Sequence, residues 1–143
     1  MGKTHARLLG LVMAVSSFQV AADEVDLTGK VAIELNTVSE GEGNCTLTFM
    51  VINGHSVGID KLVFETVLFD ADGAVDRLTL FDFGALPVGR PRVRQFAIPN
   101  LTCGDLGRVL FNGLHTCEAA DLDASTCANG LVPTSRGEIE LLG

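Results

Sequence analysis

Cys45-Thr46-Leu47-Thr48-Phe49-Met50-Val51-Ile52-Asn53 decides the fold. Cys45, Leu47, Phe49 and Val51 share one parity, and Thr46 and Thr48 share the other. Alternation with period two among β-branched and aromatic residues is the pattern of a half-buried strand; an amphipathic helix needs apolar residues three and four apart. The stretch upstream repeats the pattern, with Val31, Ile33 and Leu35 against Ala32, Glu34 and Asn36 between Lys30 and Val38. Ser39-Glu40-Gly41-Glu42-Gly43-Asn44 joins the two, a polar and glycine-bearing loop suited to reversing the chain.

Downstream, turn chemistry and strand patterns continue to alternate. Asn53-Gly54-His55-Ser56-Val57-Gly58 reads as a turn. Leu62 to Asp70 is apolar on both parities, the pattern expected of a central strand covered on both faces. Asp70-Ala71-Asp72-Gly73 then leads into a strand from Val75 to Phe83. A loop carries Leu86-Pro87-Val88-Gly89, and a fifth strand from Arg92 to Ile98 stops at Pro99-Asn100. A sixth runs from Gly107 to Asn112 and ends at Asn112-Gly113; a seventh spans Ser135 to Leu142. Glu118 to Ser125 is the one helical stretch. Seven short strands with this punctuation predict an all-β, immunoglobulin-like β-sandwich with a short helical segment near the C-terminus; a small β-barrel is the alternative.

The composition bounds the rest. At 143 residues and 47% hydrophobic, the chain suits one domain and is too apolar for intrinsic disorder. Its mean hydropathy is +0.35, yet no apolar run reaches the roughly 18 residues of a spanning helix. A net charge of −8 argues against nucleic acid, whose phosphates demand clustered cations.

Residues 1–22 read as a secretory signal peptide. Lys3 and Arg7 precede the apolar stretch Leu8 to Val15, and Val20-Ala21-Ala22 offers small residues for cleavage. The mature domain is then 23–143, without membrane insertion. It is expected in the periplasm, with an extracellular location as second choice. No twin-Arg pair precedes the apolar stretch, so the general secretory route is expected. Loss of Lys3 and Arg7 leaves 8 cations against 18 anions, a charge of −10 that favours a soluble monomer.

All four cysteines follow the cleavage point, and an even number in an exported chain predicts two disulfides. In a Greek-key sandwich the start of the second strand lies beside the end of the fifth, which favours Cys45 with Cys103. Cys117 and Cys127 flank the helical segment and can close it as a local loop. Cys103 with Cys117 is the rival pairing.

Three constellations carry possible chemistry. Arg90, Arg92 and Arg94 place three of the eight mature cations on one face of a strand, a stripe suited to an acidic ligand or the acidic patch of a partner protein. Pairing with Asp70, Asp72, Asp76 or Asp82, or protection of an edge strand, is the competing reading. His55 and His115 each follow an Asn-Gly pair, and loops at one end of the sandwich could bring them together as a transition-metal site. Asp70-Ala71-Asp72-Gly73 has the opening of a calcium loop but lacks its distal Glu, and it equally suits a hairpin turn. No nucleophile elbow, zinc-protease helix motif or phosphate loop is present.

Leu68-Phe69-Asp70, Arg77-Leu78, Leu80-Phe81-Asp82-Phe83, Leu86-Pro87 and Gly89-Arg90-Pro91-Arg92-Val93-Arg94-Gln95-Phe96, with the four-cysteine frame, resemble short exported proteins of alphaproteobacterial type. These are sometimes labelled as Tat pathway signal sequence domain proteins, a label this chain departs from in lacking the Arg pair. The layout also resembles the FxLYD type of small exported β-sandwich module. Both resemblances imply compartment and fold, and neither implies catalytic residues or a cofactor. The expected function is a periplasmic binding or accessory module without catalysis, contacting its partner through Arg90–Arg94. A metal-handling protein using His55 and His115 is the alternative, and an enzyme with an unrecognised site the second.

Overall fold

A computed structural model describes residues 24–143 together with Gly2; the expected signal peptide therefore lies outside the described residues apart from Gly2. Eight strands follow: β1 (Val31–Gly41), β2 (Asn44–Asn53), β3 (Ile59–Asp70), β4 (Val75–Leu86), β5 (Arg92–Pro99), β6 (Leu106–Glu118), β7 (Leu131–Ser135) and β8 (Glu140–Leu142). A 3-10 turn occupies Cys103–Asp105, and α1 is Ala124–Asn129.

The strands form two four-stranded sheets, in the orders β5-β2-β1-β7 and β4-β3-β6-β8. The all-β sandwich is thus the architecture, and the barrel alternative is excluded because the sheets do not join into one closed sheet. The β1-β2-β5 and β3-β6 adjacencies are those of the A-B-E and C-F strands of immunoglobulin sandwiches. β7 and β8 depart from that scheme by pairing in parallel, with β1 and β6 respectively.

The opening stretch places Cys45, Leu47, Phe49 and Val51 fully inside. Phe49 is the centre of the core, with the rings of Phe81, Phe83, Phe96 and Phe111 at 5.7–6.2 Å. Edge-to-face packing of this kind adds to the hydrophobic gain of burial, which is about 1.5–3 kcal/mol per large side chain. Phenylalanine alone supplies the aromatic core, so no buried phenol hydroxyl or indole N–H needs a partner.

Several elements differ from the sequence-based expectation. There are eight strands rather than seven: β7 precedes the expected seventh and shares only Ser135 with it, and the expected seventh shortens to β8. β7 was hidden by Pro133, which an edge strand tolerates because one side of its backbone has no ladder to serve. β6 runs on to Glu118 because Asn112-Gly113 is not a turn: the register against β3 slips there, with Glu65 opposite Gly113 and Thr66 opposite Phe111, and the strand continues through a bulge. The helix begins later than expected, at Ala124. Its start is set by Asp123, whose carboxylate accepts the Thr126 N–H at 2.7 Å.

Burial of β3 on both parities has a different cause from the expected second covering layer. Val63 and Val67 point outward yet are 5% and 7% exposed. Their cover comes from neighbouring strands, with Leu78 of β4 and Leu110 of β6 directly opposite Val67 and Leu142 of β8 beyond Leu110. One row further along, Arg108 lies over the Phe69 ring and donates to Glu140 at 2.7 Å, tying short β8 to the sheet.

Candidate functional site

β5 ends one sheet and β4 ends the other, so their free edges form one side of the sandwich. Alternation along β5 gives Arg92 and Arg94 the parity of Phe96 and Ile98, which faces inward, while Val93 and Gln95 face out. Phe96 stacks flat on Phe81 of β4 at 4.2 Å, joining the two edges with apolar surface. Arg94, two residues nearer the strand start, reaches the same seam with a polar head.

There its Nε donates to the Phe83 carbonyl at 2.6 Å and its Nη2 to the Ala85 carbonyl at 3.0 Å. Carbonyls two residues apart leave a strand on the same side, and the planar guanidinium fork can meet both at once. Gly84 lies between them at φ 65, where the register against β3 slips, and the Asp82 carboxylate accepts its N–H at 2.9 Å. Arg77 of β4 makes the reverse connection, donating to the Pro99 carbonyl of β5 at 2.7 Å. The seam is therefore laced in both directions by arginines that satisfy edge carbonyls.

Arg90 precedes β5 and is held by the loop after β4. That loop is positioned by Asn53, which is fully buried. Its Nδ2 donates to the Leu86 and Val57 carbonyls at 3.0 and 2.9 Å, its Oδ1 accepts the His55 N–H, and its backbone carbonyl accepts from Gly89 at 2.8 Å. Asn53 reads in the sequence as a turn residue, and nothing local in the sequence signals its contact with a segment 33 residues away.

Arg90, Arg92 and Arg94 make no ion pair among the described residues. Of the acids that could have neutralised them, Asp76 pairs with Arg77 at 2.5 Å and Asp82 with Lys61 at 3.9 Å. The Asp70 carboxylate accepts the Asp72 and Ala74 N–H groups at 3.0 and 2.8 Å, and Gly73 takes φ 88. Hairpin chemistry thus accounts for the Asp70-Ala71-Asp72-Gly73 motif. Arg92 donates to its neighbour, the Pro91 carbonyl. The three cations therefore divide, with Arg94 committed to the seam and Arg90 and Arg92 beside it.

Cys45 is joined to Cys103 and Cys117 to Cys127, with Cα atoms 5.0 and 6.5 Å apart. The first ties β2 to the crossing from β5 to β6, where the Glu40 carboxylate also accepts the Cys103 N–H at 2.7 Å. The second ties α1 to β6. Two disulfides with no free cysteine fit an oxidising compartment. Glu40, Cys45 and Cys103 also form a three-residue cluster of metal-type ligands among the described residues, but both sulfurs are committed to the disulfide.

The histidines occupy unlike settings. His55 is 4% exposed, and its Nε2 is buried without a hydrogen-bond partner. His115 lies within β6, exposed, with Nδ1 2.9 Å from the Thr116 hydroxyl. The expected placing of His115 in a loop fails for the same reason as the short β6: its Asn-Gly pair forms a bulge.

No protein-family model matches the chain, and no curated protein matches it. Among solved structures it is similar to IrmA from Escherichia coli, with a TM-score of 0.54 and 12% identity over 73% of this chain and 90% of that one. At this identity the likeness shows the fold alone.

Proposed function

We propose that this protein is a non-catalytic, monomeric binding module of the periplasm that grips an acidic group of a partner protein through Arg90 and Arg92. The observation that carries this reading is the absence of any ion pair to either guanidinium among the described residues, in a chain with 18 acids and 10 cations. Val88, 48% exposed, adds apolar surface two residues before Arg90. A charged pair beside apolar surface can combine orientation with burial at an interface. The disulfides and the resemblance to short exported proteins support the compartment.

The test is crosslinking in intact cells, followed by mass spectrometry of what is recovered. Replacing Arg90 and Arg92 together by Ala should abolish recovery of the partner while the fold persists. Unchanged recovery overturns the assignment of the contact surface.

A further inference from the structure

On the opposite side of the sandwich the edge strands are β7 and β8, only five and three residues long. β7 pairs with β1 from Val31 to Leu35 and stops at Ser135. The Arg136 N–H then closes on the Leu35 carbonyl, and the chain crosses to β8. β1 continues to Gly41, and on this side no strand pairs with Asn36–Gly41 among the described residues. Beside that edge a cleft of about 490 Å³ opens between the sheets, with Leu35, Val38, Leu106 and Ile139 as its apolar lining. Ser135 also lines it, and the Ser135 hydroxyl is buried without a hydrogen-bond partner where the pairing stops.

From this geometry we infer that the cleft takes an extended peptide strand, apolar at alternate positions and cationic at its ends, which adds to sheet edge Asn36–Gly41. A strand laid there continues the row that β7 begins and pairs its backbone with the free edge of β1. Its alternate side chains enter the cleft, since successive residues of a strand point to opposite faces. The charge follows from the surroundings: Glu138 lines the cleft and Glu40 and Glu42 lie at the far end of the edge. The nearby cation, Arg136, lies 3.8 Å from Glu34. The site is on the far side of the sandwich from Arg90 and Arg92, and stands or falls independently of them.

The probe is a synthetic heptapeptide with valine and threonine alternating between terminal lysines, titrated into the purified disulfide-bonded domain and followed by backbone amide NMR. Binding should shift Asn36–Gly41 and Ser135–Ile139. Methylating alternate peptide nitrogens should weaken it by about tenfold, through lost backbone hydrogen bonds. Glutamate in place of the lysines should also weaken it. A Cβ at Gly137 meets nothing within 4 Å, so Gly137→Trp can fill the mouth and should block binding. Equal binding of the methylated peptide overturns strand addition, as does an unblocked Gly137→Trp. Absence of shifts at millimolar peptide, or shifts confined to β4 and β5, overturns the site. Shifts at Asn36–Gly41 on simple dilution of the protein would assign the edge to a second copy instead.

Discussion

The two sides of the sandwich meet the same problem with opposite outcomes. Two sheets leave two pairs of strand edges, each with backbone groups that the sheet itself cannot pair. On one side β4 and β5, twelve and eight residues long, are joined by stacked Phe81 and Phe96 and laced by Arg77 and Arg94. On the other, β7 and β8 are too short to cover β1 and β6, and a cleft remains. Long strands with arginines seal an edge, and short ones leave it available. The difference sets a laced seam against an open edge within one small domain.

Loss of the Cys45–Cys103 disulfide should blur the contrast most. It pins the crossing that leaves sealed β5 and borders the cleft through Cys103. In the chain-entropy model, replacing both cysteines by Ala costs about 4 kcal/mol, against about 3 kcal/mol for the shorter Cys117–Cys127 loop. Urea unfolding under non-reducing conditions measures both losses. Next in size is a paired comparison of apolar truncations. Phe96→Ala at the seam should cost about 3 kcal/mol, because it opens a void between packed edges. Ile139→Ala should cost only about 1 kcal/mol, because its side chain already borders open space. Equal losses by urea denaturation would erase the distinction.

The smallest effect concerns α1, which Cys127 holds against the end of β6. Hydrogen bonds from the Ser125 hydroxyl and the Thr126 N–H hold the Asp123 carboxyl below its ordinary 3.8. A lowered folded value stabilises the native state above the ordinary value, and that contribution fades as pH falls through the folded value. Protection of the Thr126 amide, its exchange relative to an unstructured amide at the same pH, should therefore fall on acidification below 3.8 in the native protein. In Asp123→Ala it should be low already at neutral pH. An unchanged rate at Thr126 in the variant would show that the disulfide alone fixes the helix.

Much of the fold is legible in local pattern. Alternation in β1 and β2 names the inward residues, Asp70-Ala71-Asp72-Gly73 names the hairpin, and Greek-key adjacency places Cys45 beside Cys103. The cation cluster is also visible in the sequence, but not its division. Arg94 and Arg92 have the same local pattern and differ in what lies across the seam, which depends on how two edges from different sheets meet. Gly84 inside a strand was an available sign of irregularity at that point. β7 was masked by Pro133, and the Asn112-Gly113 bulge has the composition of a turn. Local chemistry permits both conformations there, and only pairing with β3 selects one. The cleft is less legible still, because it is the space left where two strands end early.

The division of the arginines is the most direct test of the contrast between the sides. Urea unfolding of Arg94→Ala, compared with the Arg90→Ala/Arg92→Ala double variant, measures it at low ionic strength. Arg94→Ala should lose about 1–2 kcal/mol, since charged hydrogen bonds to the β4 carbonyls disappear from a half-buried position. The double variant should lose less than about 0.5 kcal/mol, as expected of surface changes without partners. A double variant that loses as much as Arg94→Ala, or an Arg94→Ala that loses nothing, would contradict a seam sealed by Arg94.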